Sequence, residues 1–307
     1  GETSGALTFQ VAPDFESPTD VGDDPPNPDN IYAVTVQVRD VNGGTTTQSI
    51  TVTVTDVNDV TPVVTADQSF NLAENSAATT TVGTVLATDG DATATTFQTW
   101  TITSGNTDKD GDSTLPFAIN SSTGTITVND AGDLDREQTT SFTLSVTVSD
   151  GVNTSSAQTL TINLTDVNDV TPVVTAGQSF SVTENSAATT AVGTVLATDG
   201  DVTATTFQGW AITSGNTDKD GDSTLPFAIN ATTGTITVND VGDLDREQTA
   251  SFTLSVTVSD GVHTSAAQTL TINLIDVSDV TPLMTAGQSF NLAENSAATT
   301  SVGTVLA

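Results

Sequence analysis

Residues 57–166 return almost letter for letter as residues 167–276, with 15 differences across 110 positions, and residues 277–307 begin the same text a third time. Such a tandem repeat restricts the chain severely, because whatever one copy folds into, its neighbour must fold into as well. A period of 110 lies far above the roughly 20–50 residues of solenoid repeats, so each copy is long enough to bury a core of its own.

Inside a copy the apolar residues alternate. Phe142, Leu144, Val146 and Val148 share one parity while Thr143, Ser145 and Thr147 take the other, the pattern of a half-buried strand. The same alternation runs through 160–164, 100–102, 117–119 and 125–128, all rich in Thr and Val. Turn signals separate these runs: Asp150-Gly151, Ser122-Thr123-Gly124, Asp89-Gly90-Asp91 and Thr171-Pro172. No 3.6-residue periodicity competes. About seven short strands in ~100 residues imply an all-β chain of tandem, immunoglobulin-like Greek-key β-sandwiches. The expected divisions are 1–59, the closing part of a divergent domain; 60–169 and 170–279, two full repeats; and 280–307, the opening strands of a further one. The 1–59 reading rests on "YAVTVQVRD" then "QSITVTVTD", which mirror "FTLSVTVSD" then "QTLTINLTD".

Charge narrows the function. With 38 Asp and Glu against 5 Lys and Arg, the net charge is −33, which repels nucleic acid and anionic membrane and leaves a cation as the natural counter-charge. The chain has no cysteine, so thiolate metal sites and disulfides are excluded and any bound metal is held through oxygen. One histidine, no cysteine and no phosphate-cradling glycine loop argue against an enzyme. No stretch reaches the ~20 apolar residues of a membrane helix, and the start does not resemble a signal peptide. Beginning at Gly1, the sequence reads as a processed chain or an excerpt.

The acids recur at fixed places near both ends of each sandwich, and Asp, Glu and Asn oxygens are what calcium demands, roughly six to eight per ion. In the extended segment Asp166-Val167-Asn168-Asp169, Asp166 and Asn168 point to one side and Asp169 to the other, so a short linker could face acids of the domains before and after it. Five motifs stand in register: Glu74-Asn75 and Glu184-Asn185; Asp89-x-Asp91 and Asp199-x-Asp201; Leu-Asp-Arg-Glu at 134–137 and 244–247; Asp150-Gly and Asp260-Gly; and Asp-x-Asn-Asp-x-x-Pro at 56–62 and 166–172. In these motifs the copies resemble cadherin repeats.

That resemblance implies about three calcium ions at the junction between the full repeats. Glu74, Asp135 and Glu137 would come from the first repeat, Asp166, Asn168 and Asp169 from the linker, and Asp199, Asp201, Asp260 and the Asn216 carbonyl from the second. At the preceding junction Asp14 and Glu16 stand where Leu-Asp-Arg-Glu would supply acids, followed by Asp56, Asn58, Asp59, Asp89, Asp91, Asp150 and the Asn106 carbonyl; the early Glu has no counterpart there. At the last junction Glu184, Asp245, Glu247, Asp276 and Asp279 remain, with Ser278 in place of Asn. The acidic loops "TDKDGDS" at 107–113 and 217–223 lack the closing Glu of an EF-hand. They read as solvated loops, with a separate calcium as the alternative.

Other features take plainer readings. Trp100 and Trp210 share parity with Ile102 and Ile212 and are expected in the core rather than as sugar-stacking platforms, and His263 is expected on the surface. Near-identical copies provide length more readily than varied recognition. The chain is therefore expected to be a calcium-stiffened stalk or fibre segment of an extracellular, cell-surface or secreted adhesin, its partners calcium, further copies of itself or a surface ligand. The acidic, Thr-rich composition resembles that of bacterial surface adhesins. Two alternatives stand beside it: a filament subunit joined by strand complementation between incomplete end domains, and a carbohydrate- or protein-binding module.

Overall fold

The computed structural model describes residues 5–20, 29–92, 96–202 and 206–307. The chain divides into two compact units, residues 1–167 and 168–307. All regular structure among the described residues is β, and no helix is long and apolar enough to cross a membrane.

The first unit opens with a hairpin of β1 (Ile31–Arg39) and β2 (Thr45–Thr53), antiparallel from Ile31↔Thr53 to Arg39↔Thr45. The Asp40 carboxylate fixes the turn by accepting the N–H groups of Asn42 and Gly44 at 2.8 and 2.7 Å. Both strands fall on the runs read as strands in the sequence.

The repeat that follows holds β3 (Val63–Val64), β4 (Gln68–Ala73), β5 (Thr81–Thr84), β6 (Ala87–Thr88), β7 (Thr99–Ser104), β8 (Phe117–Ile119), β9 (Thr125–Val128), β10 (Ser141–Ser149) and β11 (Gln158–Thr165). One sheet has the order β4-β11-β10-β7 and the other β5-β9-β8, while β3 pairs with β6. Every pairing is antiparallel except β4 on β11, so the first strand changes partner midway: β3 pairs with β6 and β4 lies parallel to the last strand. The seven strands expected become nine because two are broken in this way.

Alternation builds the core. Phe142, Leu144, Val146 and Val148 on β10 are buried, and Val146 and Val148 pair with Ile102 and Trp100 of β7. Ile126 and Val128 close the core from the facing sheet. Trp100 is 4% exposed and meets Phe97 edge-on at 5.6 Å, so the indole is a core residue as expected. Leu134 lies outside any strand and is also fully buried, which drives the acid-bearing segment behind it against the sandwich.

In the second unit β12 (Val173–Val174), β13 (Ser179–Thr183), β14 (Ala191–Thr194), β15 (Ala197–Thr198), β16 (Gln208–Ser214), β17 (Phe227–Ile229), β18 (Thr235–Val238), β19 (Ser251–Ser259) and β20 (Gln268–Ile275) reproduce the same topology. Residues 280–307, expected as opening strands, form no strand. A fragment of the pattern survives: Gln288 brackets Leu306 through side-chain bonds of 2.6 and 2.7 Å, as Gln68 brackets Leu86. The reason for the missing ladder is physical. In the full repeat β4 is held by β11 and β5 by β9, and residues 280–307 contain no counterpart of either holder.

Because one parity of β10 carries the core, Leu144→Ala is expected to cost about 2–5 kcal/mol, whereas Thr143→Ala on the exposed parity changes stability by less than about 0.5 kcal/mol. Urea unfolding of the two variants checks the difference, and equal losses would overturn the assigned register.

Candidate functional site

The acids gather at the ends of the sandwiches because backbone N–H groups hold them there. Glu74 follows β4 and is 2% exposed. Its carboxylate accepts the N–H of Arg136 at 2.6 Å and that of Val167 at 2.6 Å, tying the Leu-Asp-Arg-Glu segment and the linker to one side chain. Carboxylate oxygens of Glu74, Glu137 and Asp166 lie within 4.8 Å of one another. Arg136 donates to the Leu164 carbonyl and pairs with Asp166 at 3.5 Å, a contact the sequence did not suggest. Asp135 accepts the backbone N–H and side-chain amide of Gln138 at 2.9 and 2.7 Å.

The opposite end of the same repeat carries a second group. Oxygens of Asp89, Asp91 and Asp150 lie within 4.8 Å, as do those of Glu16, Asp59 and Asp91, so Asp91 belongs to both triads. Asp91 also accepts the Asp59 and Val60 N–H groups at 3.1–3.3 Å, which seats the linker on the sandwich. Asp150 takes the N–H groups of Val152 and Asn153 on one oxygen, both at 2.7 Å. Its other oxygen is buried without a hydrogen-bond partner, as are Asp89 Oδ2 and Asn58 Oδ1. The Asn106 side chain is engaged with the Phe117 backbone at 2.7 and 3.1 Å. Asp14 accepts the N–H groups of Glu16 and Ser17 at 3.0 and 2.9 Å, a turn that presents Glu16.

The second unit repeats both halves. Asp201 accepts the Asp169 and Val170 N–H groups, Asp199 accepts that of Asp201, and Asp260 those of Val262 and His263. Asn168 Oδ1, Asp199 Oδ2 and Asp260 Oδ2 are buried and unpartnered. Asn216 copies Asn106 in its grip on the Phe227 backbone. At the far end Glu184 accepts the N–H groups of Arg246 and Val277, Asp245 is bonded by Gln248, and Asp279 accepts the Asn185 amide at 2.6 Å. His263 departs from expectation. Its side chain is 37% exposed and Nδ1 stands 3.8 Å from Asp260 Oδ2, so the ring lies beside an acid rather than alone on the surface.

Crowding shows in the acidities. Loss of water, with the charges of Asp91 and Asp150, lifts Asp89 above its ordinary value. Desolvation also lifts Glu16, helped by the carboxylates of Asp56 and Asp59, and Asp201, helped by Asp199 and Asp169. Glu247 is raised by desolvation and by Glu184, Asp276 and Asp279. Asp150 moves the other way: desolvation opposes its charge, but the N–H groups of Asn153 and Val152 outweigh it and hold the carboxyl low. Clustered oxygens with few compensating cations suit a hard, positively charged ligand.

A family model of the cadherin domain matches residues 68–165 and 178–275. Among curated proteins, "Protocadherin-like wing polarity protein stan" of Drosophila melanogaster is 35% identical over 238 residues, which is 76% of this chain and 6% of that protein. "Cadherin EGF LAG seven-pass G-type receptor 2" of Homo sapiens is 34% identical over 259 residues, 82% of this chain and 8% of that one. The chain thus spans only a small fraction of the length of these relatives. Among solved structures, mouse protocadherin-24 EC1-3 superposes with a TM-score of 0.58 at 22% identity, covering 80% of each chain. Mouse cadherin-23 EC22-24 gives 0.54 at 24% identity, covering 80% of this chain and 74% of that one.

Opposite signs are expected for two acids in the metal-free chain. Asp150 contributes stability that is fully present above its ordinary value of 3.8 and is lost as pH falls through its lower folded value, so Asp150→Ala destabilises at pH 7 and the gap closes in acid. The raised Asp89 carboxylate costs stability above its folded value, so Asp89→Asn stabilises at pH 7, and its gain shrinks as pH falls below that value and is gone below the ordinary 3.8. Urea titrations in chelator across pH read both.

Proposed function

The chain belongs to the cadherin family, and on that premise we propose that it is a calcium-stiffened segment of an extracellular adhesion protein. In this reading its repeats run 60–169 and 170–279, flanked by parts of further domains at 1–59 and 280–307. The observation that carries it is the pair of overlapping triads at the first junction, Glu16-Asp59-Asp91 and Asp89-Asp91-Asp150, beside buried, unpartnered oxygens of Asn58, Asp89 and Asp150. The donors are all oxygen, and carboxylate oxygens within 4.8 Å fit ligands around one ion at about 2.3–2.6 Å, which allows separations up to roughly 4.6–5.2 Å. The residues present therefore fit calcium.

Glu16, Asp59, Asp89, Asp91 and Asp150 would hold calcium at that junction, with Asp14, Asp56, Asn58 and the Asn106 carbonyl beside them. Glu74, Asp135, Glu137 and Asp166 would do the same at the end of the first unit, and Asn168, Asp169, Asp199, Asp201, Asp260 and the Asn216 carbonyl at the start of the second. At the last, Glu184, Asp245, Glu247, Asp276 and Asp279 form one side. Calcium supplies positive charge. The chain's own residues do the rest: Glu74 and Asp91 hold the linker backbone by hydrogen bonds, and the remaining carboxylate oxygens would be left to hold the ion. Metal-free, the same carboxylates repel one another at short range and the linkers loosen.

Length is the product. The 15 differences between copies are scattered and mostly exchange Ala, Thr, Ser, Val, Leu and Gly, which favours a stalk over a recognition surface with one varied set of loops. The relatives named above are animal proteins, and they lend no support to the bacterial setting that composition suggested. One solved neighbour is titled a cis-dimer of protocadherin gammaB7 EC3-6, and self-association is a partner reading to test here.

Small-angle X-ray scattering in millimolar calcium and in excess chelator tests the proposal, with a stiffer, more extended particle expected in calcium. Asp91→Asn, which touches both triads, is expected to reduce the calcium-dependent rise in thermal midpoint by several degrees, on the order of 1 kcal/mol per lost ligand. Identical scattering in both conditions would sink the reading.

A further inference from the structure

Each repeat holds a second group of acids away from its ends. The loop between β7 and β8 carries Asp108, Asp110 and Asp112, whose oxygens lie within 4.8 Å. The segment after β9, "NDAGD", carries Asp130 and Asp133. Folding brings the two stretches together: oxygens of Asp110, Asp130 and Asp133 also lie within 4.8 Å of one another. The approach depends on Gly132, since a Cβ there would stand 2.2 Å from Asp110 Oδ2. Asp110 thus aims one oxygen across at the second segment while its other accepts the Asp112 N–H at 3.0 Å.

Asp133 makes this more than a patch of surface charge. It is 1% exposed. One oxygen accepts the backbone N–H groups of Lys109 and Asp110, while Oδ2 is buried with no partner. Asp130 repeats the arrangement at the surface, with Oδ1 on the Gly132 N–H at 3.0 Å and Oδ2 buried and unpartnered. Among the described residues no basic side chain pairs with these acids. In the second repeat the neighbouring cation, Lys219, instead turns its ammonium over the Phe252 ring at 5.9 Å. The Asp112 N–H pulls the Asp110 carboxyl down, yet desolvation and the charges of Asp112, Asp130 and Asp133 leave it raised. An unpartnered buried carboxylate oxygen is costly and needs a counter-group.

The second copy reproduces the features independently. Asp243 is 1% exposed with Oδ2 unpartnered, Asp240 Oδ2 is likewise orphaned, and a Cβ on Gly242 would meet Asp220 Oδ2 at 2.1 Å.

We propose that Asp110, Asp130 and Asp133, and their counterparts Asp220, Asp240 and Asp243, form a calcium site inside each repeat, separate from the junctions. Three carboxylates supply oxygen and charge, Asp108 and Asp112 border the ion, and water completes the roughly six to eight ligands calcium takes. Its effect is local: it ties the β7–β8 loop to the segment after β9 within one sandwich.

Crystals of the full chain grown in calcium test the proposal through anomalous scattering. A peak beside Asp133 Oδ2 and Asp243 Oδ2 is expected, and water or a carboxyl–carboxylate contact there instead overturns it. Junction ions are read separately in the same map, so failure of this site and failure of the junction reading are distinguishable. Calcium counting by native mass spectrometry supplies the second arm. Asp110→Asn combined with Asp220→Asn changes exposed positions, and is expected to lower the count by about two ions per chain with circular dichroism unchanged. An undiminished count in the folded variant rules the site out.

Discussion

One buried carboxylate per repeat sets the geometry of everything at its end. Glu74 gives one oxygen to the Arg136 N–H and the other to the Val167 N–H. It therefore fixes two segments about 30 residues apart, and Glu184 repeats the arrangement on Arg246 and Val277. Charge-assisted bonds of this kind contribute roughly 1.5–3 kcal/mol each, enough to explain how a polar segment without strand structure keeps a defined place. Leu134 anchors that segment from the apolar side. The acids of Leu-Asp-Arg-Glu are thus held by one hydrophobic and one ionic attachment before any cation is considered.

Two kinds of carboxylate follow from this. Some acids have both oxygens fixed by backbone N–H or amide groups; Asp108, with Gly111 and Ser113, is one, and Glu74 and Asp135 are others. Others spend a single oxygen and leave the second buried: Asp89, Asp150, Asp130 and Asp133 in the first repeat. The division is physical, because the bonded oxygen fixes the side chain and so determines where the free one points. A purely solvated acidic surface would leave both oxygens to water. The half-spent carboxylates collect in a few small groups instead, and there the net charge of −33 becomes locally directed.

Much of this was legible in the sequence. The alternation through Phe142–Val148 and the turn at Asp150-Gly151 identify a strand, its face and its end, and the spaced acid motifs mark where oxygens concentrate. Other features depend on long-range pairing that no local pattern records. The first strand changes partner between Val64 and Gln68, and β4 lies parallel to β11, with Gln68 opposite Leu160. Asp133 lies 23 residues from Asp110, so the loop "TDKDGDS" looked solvated when judged alone. The signal was present as the Asp-x-Gly-Asp of 130–133 and 240–243, but nothing local ties it to that loop. At the first junction the Glu16 oxygen stands with those of Asp59 and Asp91 across more than 40 residues of chain, a proximity that no local pattern records.

The copies themselves separate what the fold needs from what it tolerates. None of the 15 differences touches an acid of the clusters described, or Glu74, Leu134 or Gly132 and their counterparts. The exchange of Asn153 for His263 changes the polar side chain beside one of them. Asn153 reaches the Val60 carbonyl at 3.4 Å through its amide, whereas His263 brings Nδ1 to 3.8 Å from Asp260 Oδ2. Desolvation opposes the Asp260 charge, the His263 and Val262 N–H groups favour it, and the imidazole adds to them, so that the carboxyl stays low. The imidazole thus stands beside the unpartnered Asp260 oxygen, while the amide in the other copy turns to a backbone carbonyl and leaves Asp150 Oδ2 open. Two sandwiches with one topology and one set of acids therefore differ in what surrounds this one carboxylate, through a single side chain outside the core.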